Sequence, residues 1–75
     1  MIVPIDEVVM MFHRCNSYIV TKYGDLMDYP NHLKALEQAW HSDQGVTIGH
    51  DVGIFTTLEF ASEEDFLIWA VRWAG

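Results

Sequence analysis

Residues 46–60, VTIGHDVGIFTTLEF, decide the fold class predicted for this chain. Their β-branched and aromatic content predicts two strands, at about 46–50 and 54–60. The intervening residues 50–53, HDVG, predict a hairpin turn, because glycine supplies the positive φ at which strands reverse. On the second strand, alternation predicts a core face made of Ile54, Thr56, Leu58 and Phe60. A lone two-stranded hairpin is marginal in water, so helices must cover it or a second copy must extend its sheet.

The segment after the hairpin predicts a C-terminal helix over 63–74. Ser62 precedes Glu63, Glu64 and Asp65 in near capping-box form, with the serine able to accept from the amide three residues on. The three carboxylates also suit the positive end of the helix dipole. This helix has two apolar sides, one with Phe66, Trp69, Ala70 and Trp73 and the other with Leu67, Ile68 and Val71. Either the small fold encloses both sides, or the second packs on another copy or another protein.

Two helices are predicted before the hairpin. The first runs from about Pro4 or Ile5 to Tyr23, because apolar residues recur at three- and four-residue steps. Its stripe consists of Ile5, Val8, Phe12, Cys15 and Ile19. The β-branched residues within 17–21 leave a strand as an alternative for that stretch.

A loop at 25–28 then leads into a second predicted helix at about 30–42, with Pro30 near its start. Leu33, Leu36 and Trp40 share one face of this helix. The predicted order is therefore helix, helix, strand, strand, helix. This is a single α+β domain over residues 1–75, with an antiparallel hairpin packed by helices, or with its sheet extended across a dimer.

Size and composition indicate that the chain needs a partner. A chain of 75 residues buries only about 60% of the surface that its unfolded form exposes, which leaves it marginal without a disulfide, a metal or another chain. Cys15 is its one cysteine, so no intramolecular disulfide forms. Hydrophobic residues make up 51% of the chain, and three are tryptophan. We therefore expect self-association, with a homodimer as the simplest form.

The charge of the chain narrows the classes of partner. Eleven acidic residues against four Lys and Arg give a net charge of -7. Direct nucleic-acid binding is disfavoured, because its affinity comes mostly from basic residues that neutralise phosphates. The excess of acidic residues has two interpretations: it keeps the protein soluble, or it forms a face that binds a basic protein. No signal-peptide pattern and no membrane-length apolar run is present, and a lone cysteine fits a reducing compartment, so we expect a cytoplasmic protein.

Residue types that bind metals or act as nucleophiles are scattered along the chain. The candidates are His13, Cys15, His32, His41, His50 and Asp51. Residues two apart on a helix do not face each other, and the other histidines fall on different predicted elements, so no metal site is predicted. The place of Cys15 on an apolar stripe favours a core residue over a nucleophile paired with a histidine. The pairs Asp6 and Glu7, and Glu63 and Asp65, occur where helix starts ordinarily carry acids.

Two further patterns are typical of binding sites but fit structural roles better in this chain. Gly45, Gly49 and Gly53 recur every four residues, but a phosphate loop also needs a helix directly behind it and usually a lysine, so we interpret them as turn and strand residues. The aromatic residues offer a stacking platform for bases or sugars. Because the chain has so few basic residues, a place in the core or in a protein interface is favoured for these aromatic residues. They are Trp40, Trp69, Trp73, Tyr18, Tyr23 and Tyr29.

Residues 58–75, LEFASEEDFLIWAVRWAG, resemble the ends of small uncharacterised proteins from T4-like phages and marine phage genomes. In those proteins a strand is followed by an acidic cap and a short apolar-aromatic helix. The resemblance implies a small acidic protein of viral origin that acts by binding, located in the host cytoplasm. It carries over no catalytic or binding residue.

The sequence therefore predicts a protein-binding or accessory module that acts as a homo-oligomer, with no catalytic, cofactor-binding or metal-ligating residues. The predicted contact lies on the C-terminal helix at Leu67, Ile68, Trp69 and Val71. An acidic surface that steers the module to a basic partner is a further hypothesis. The alternatives are an enzyme or ligand-binding protein whose site forms between subunits from histidines and tryptophans, and a purely structural oligomer.

Overall fold

The computed structural model describes residues 1–24 and 32–75 of the chain. Helices and a three-stranded antiparallel sheet make up the fold, which confirms the predicted α+β class. The predicted loop at 25–28 and the predicted helix start at Pro30 lie outside the described residues. In chain order the elements are β1 (Ile2–Pro4), a 3-10 turn (Ile5–Glu7), α1 (Val9–Lys22), α2 (His32–Gln44), β2 (Thr47–Asp51), β3 (Ile54–Glu59) and α3 (Glu63–Ala74).

The 3-10 turn at Ile5–Glu7 and Val8 occupy the stretch where the first helix is predicted to begin, and β1 precedes them. That helix was expected from about Pro4 or Ile5, whereas α1 begins only at Val9. Val8 lies between the 3-10 turn and α1. Its φ of -134° and ψ of 33° are not a helical conformation. The Met1 amino group donates to the Phe60 carbonyl over 2.8 Å and so ties this end of the chain beside β3. Residues 17–21, for which helix and strand were both open, are helical.

The hairpin turn is shorter than predicted and its second strand is irregular. Val52 and Gly53 form the turn with φ of 51° and 78°, the two positive values that a tight hairpin turn requires. Gly49 pairs with Thr57 and His50 pairs with Phe55, which leaves Thr56 as an extra residue in a β-bulge.

The bulge corrects the predicted core face of β3. Leu58 and Phe60 are buried as expected, but Ile54 is 67% exposed and Thr56 is exposed. Phe55 packs partly against the core in place of Ile54. One extra residue shifts the period-two alternation, so the residues before the bulge change face.

The sheet has one packed face and one open face. Its strand order is β1-β3-β2, so β3 is central. Val3, Leu58 and Ile48 lie side by side across the three strands and are buried in the core. Ile2, Glu59 and Thr47 form the neighbouring row, and all three are exposed.

Aromatic residues fill the space between the sheet and the helices. Trp40 of α2 is fully buried and stacks on Phe12 of α1, with ring centroids 5.3 Å apart. Its indole N–H donates to the Asn16 side-chain oxygen over 3.1 Å, so burial leaves no unpaired donor there. Trp69 of α3 lies 6.3 Å from Trp40, measured between ring centroids. The core thus joins all three helices to the sheet.

Helix α3 matches its predicted bounds and cap. The Ser62 hydroxyl oxygen accepts from the Asp65 N–H over 3.2 Å. At the other end, Arg14 of α1 donates to the Trp73 and Ala74 carbonyls over 3.1 and 2.8 Å, which satisfies groups that a helix end leaves free. Both ends of α3 are therefore held in place. Within the described part of the chain, no helix is long and apolar enough to cross a membrane.

Candidate functional site

The outward side of α3 presents three large aliphatic side chains to solvent. Leu67 is 53% exposed, Ile68 is 55% exposed and Val71 is 80% exposed. The opposite side of the same helix packs inward through Trp69, with Phe66, Ala70 and Trp73 partly buried. Of the four residues predicted to form a contact, three therefore share one exposed surface, whereas Trp69 is 4% exposed and belongs to the core. We call the exposed surface the α3 outer face and define it by Leu67, Ile68, Val71, Glu64 and Arg72.

The sequence predicted no contact role for the charged residues of the α3 outer face, since Glu64 was assigned only to the helix start and Arg72 to nothing. Glu64, Ile68 and Arg72 follow one another at four-residue steps and so form one row along the helix. At a rise of 1.5 Å per residue, the two charges lie about 12 Å apart, with the isoleucine midway. Within residues 1–24 and 32–75, Arg72 has no carboxylate partner. The four-residue spacing of these three residues is visible in the sequence. It indicates an exposed row only once the structure shows which side of the helix packs inward.

A cleft of about 360 Å³ borders the α3 outer face. Ile68 and Arg72 line it and thereby join it to that face. The other lining residues come from the end of α2, the end of β3 and the adjacent side of α3: Gln44, Gly45, Phe60, Ala61, Asp65 and Trp69. The cleft has an apolar wall with a carboxylate and a guanidinium along one side. None of the residues that line the cleft is a cysteine, a serine or a histidine.

The histidines are not brought together. His13 lies on α1, His32 and His41 lie at opposite ends of α2, and His50 lies on β2. His50 instead contacts Glu37 of α2, with Nε2 2.9 Å from Oε1. Asp51 is exposed at the end of β2. Among the described residues, no three His, Cys, Asp or Glu side chains form a group that would hold a metal ion.

Cys15 occupies the core, where it is fully buried. Burial raises the pKa of its thiol to about 11, and the nearby indole N–H of Trp69 offsets part of that rise. The Trp69 nitrogen is itself buried and has no hydrogen bond within the described residues. The Cys15 sulfur near it is only a weak acceptor. A thiol in this environment stays protonated near neutral pH, so it is neither accessible nor ionised as a nucleophile must be.

The other candidate groups have structural places. Asp6 and Glu7 are exposed in the 3-10 turn, and Glu63 and Asp65 lie in the first turn of α3. Gly45 and Gly53 have positive φ, and a side chain on Gly49 would collide with the Thr57 hydroxyl opposite it.

The aromatic residues that the structure describes do not form an exposed platform. Trp40 and Trp69 are core residues, and Trp73 is half-buried with its N–H donating to the Gln44 side-chain oxygen over 3.2 Å. Tyr18 contacts the Trp73 ring, and the Tyr23 hydroxyl donates to Asp43 over 2.9 Å. Tyr29 lies outside the described residues.

A polar network that the sequence did not reveal anchors the inward side of α3. The Asp43 carboxylate accepts from Lys22 over 2.7 Å and from Tyr23, which ties the ends of α1 and α2 together. The Gln44 amide donates to the same carboxylate over 2.6 Å and accepts from the Trp73 indole. Hydrogen bonding from Lys22 lowers the pKa of the Asp43 carboxyl, although burial acts in the opposite direction. The network stabilises the fold on which the α3 outer face is presented.

Comparison with known proteins adds no relative to this geometry. No protein-family model matches the chain, and searches of curated proteins and of solved structures give no match either. The resemblance to phage proteins therefore stays a prediction.

Proposed function

We propose that this chain is a non-enzymatic protein-binding module that self-associates through the α3 outer face. One observation carries the proposal: Leu67, Ile68 and Val71 are exposed together on a helix whose other side is already packed into the core. Removing one such aliphatic side chain fully from water contributes about 1.5 to 3 kcal/mol. Three on one surface provide an apolar patch of the kind that marks the centre of a protein interface.

The size of the chain indicates how much surface must take part. A standard interface removes about 800 Å² from each partner. That is roughly one sixth of the 4910 Å² that this chain exposes. Three side chains alone supply less than this area, so the contact has to extend over the flanks of the helix. The adjoining cleft lies on one of those flanks and offers additional apolar surface.

The proposal predicts the effect of one charge placed on the α3 outer face. Val71→Asp should convert an oligomeric wild type into a folded monomer, because it buries an unpaired carboxylate in the contact. Solution mass is measured by light scattering at concentrations up to about 1 mM, where an association free energy of about 4 kcal/mol populates the complex. Circular dichroism verifies that the variant remains folded.

The matched control is Val52→Asp in the hairpin turn. Val52 is 91% exposed and has φ 51°, a backbone conformation that aspartate tolerates better than valine. The control makes the same substitution with the same change in charge, and it should leave the solution mass unchanged. A monomeric wild type, or a Val71→Asp variant that keeps the wild-type mass, would contradict the proposal.

Salt dependence separates self-association from capture of a basic partner. Two copies of a chain with net charge -7 repel each other, and salt screens that repulsion. Self-association should therefore strengthen as sodium chloride is raised. A complex with a basic protein would weaken under the same change, because screening removes its electrostatic attraction.

A further inference from the structure

We infer that two copies pack their α3 helices antiparallel, with Ile68 of each copy on a two-fold axis and Glu64 of each copy opposite Arg72 of the other. This inference rests on the proposed self-association and adds its geometry. The carrying observation is the row of Glu64, Ile68 and Arg72, which has an acid at one end, a base at the other and an exposed aliphatic residue midway.

The spacing makes the row of Glu64, Ile68 and Arg72 complementary in charge to a second copy of the row that runs in the opposite direction. Glu64 and Arg72 are each four residues from Ile68, so both lie about 6 Å from it along the helix axis. Turning a second helix around an axis through Ile68 therefore places each carboxylate at the level of the other copy's guanidinium. A two-fold interface requires this kind of self-complementarity, since the same patch is used on both copies.

Parallel packing of the same surfaces is disfavoured by charge. It would place Glu64 beside Glu64 of the second copy and Arg72 beside Arg72. Two like-charged contacts would then replace two attractive ones. Exposed ion pairs contribute little affinity, so the charges select the orientation while the aliphatic residues provide the association.

The cleft beside α3 favours the same arrangement. Asp65 and Arg72 both line it, with Ile68 between them along the helix. An antiparallel α3 from a second copy would bring Val71 to the level of Asp65, where an aliphatic side chain can cover the apolar wall formed by Phe60 and Trp69. The free guanidinium of Arg72 would meanwhile gain a carboxylate that no residue described in its own chain supplies.

Cysteine cross-linking tests this geometry directly. A disulfide needs Cα atoms within about 7 Å, so Ile68→Cys on a two-fold axis should form a covalent dimer on mild oxidation. Val71→Cys should not, because residues three positions from the axis lie about 9 Å apart along it before any lateral separation is added. Wild type serves as the control, since Cys15 is fully buried and its raised thiol pKa keeps it unreactive.

Charge reversal provides a second readout. Arg72→Glu alone and Glu64→Arg alone should each raise the dimer dissociation constant about 2- to 30-fold, because each disrupts two exposed pairs at once. The double variant restores both attractions with their signs exchanged, and it should return the constant close to the wild-type value. If the effects of the two single substitutions do not add in the double variant, Glu64 and Arg72 interact with each other across the interface.

The outcomes separate the two proposals. A monomeric wild type overturns the proposed function and this geometry with it. A dimer that Val71→Asp dissociates, but that Ile68→Cys fails to cross-link or Val71→Cys cross-links equally well, overturns the antiparallel arrangement and leaves the proposed function standing. Single charge reversals with no effect on the dissociation constant, or a double variant that is not restored, overturn the pairing of Glu64 with Arg72.

Discussion

The two sides of α3 have similar hydrophobicity and different environments. The inward side packs Trp69 against Phe60 and Trp40, and the Gln44 side chain anchors Trp73 there by a hydrogen bond. The outward side carries Leu67, Ile68 and Val71 with no covering element in the described chain. Hydrophobic content therefore does not reveal which side of a helix stabilises the fold and which is available to a partner. Packing decides between them, and each difference can be tested by substitution.

The largest expected effect comes from truncating one residue on each side. Trp69→Ala should lower the free energy of unfolding by about 3 to 5 kcal/mol, because it opens a cavity beneath the helix. Leu67→Ala should change it by less than about 0.5 kcal/mol. Urea unfolding measures both in the Val71→Asp background, where association does not contribute. Equal losses for the two variants would show that the outward side is also part of the core.

The Asp43 network offers a test of the inward side through pH. Lys22 holds the pKa of the Asp43 carboxyl below its ordinary value of 3.8. The ionised carboxylate therefore contributes stability that is complete above about pH 4 and is lost as the pH falls through the lowered pKa. Asp43→Asn should be about 1 kcal/mol less stable than wild type at pH 7 and should lose less stability on acidification.

The matched control for this substitution is Asp51→Asn, which removes an exposed carboxylate from the end of β2. Thermal unfolding followed from pH 7 to about pH 3 compares the three proteins. If the stability of Asp43→Asn falls as steeply below pH 4 as that of wild type, the network does not anchor α3 in the way that its contacts indicate.

The smallest effect on stability is expected at the Ser62 cap, which stabilises the start of α3 and belongs to neither of its two sides. Ser62→Ala removes the oxygen that accepts from the Asp65 N–H and should cost about 1 kcal/mol or less of stability. Ser17→Ala, at an exposed position within α1, should cost nothing because alanine has the higher helix propensity. Denaturant unfolding measures both. A selective effect of Ser62→Ala on dimerisation, with stability unchanged, would contradict the structural role of the cap.

Local patterns predicted the parts of the fold that depend on neighbouring residues. The Ser62 cap, the bounds of α3 and the division of its apolar residues into two sides follow from three- and four-residue spacing, and the structure confirms them. The hairpin follows from its glycine and β-branched content. The same three- and four-residue spacing predicted the exposed aliphatic residues of the candidate site, Leu67, Ile68 and Val71.

The features that were missed depend on residues distant in the sequence. Strand β1 has three residues, too few to show alternation, and it forms only because β3 supplies its partner. The bulge at Thr56 is defined by the register with Gly49 and His50 across the hairpin. Asp43 looks like an ordinary helix-end acid until Lys22 and Tyr23 are placed beside it. No periodicity within one element reports such pairings.

The strand order β1-β3-β2 has a consequence for synthesis on the ribosome. β1 leaves the exit tunnel first, but its partner β3 is made more than fifty residues later, since Ile2 pairs with Glu59. Until then Ile2 and Val3 have no strand to pair with, and closing so long a loop slows the step that joins them. We therefore expect the sheet to be completed only after β3 has emerged, with β1 as the last strand to dock.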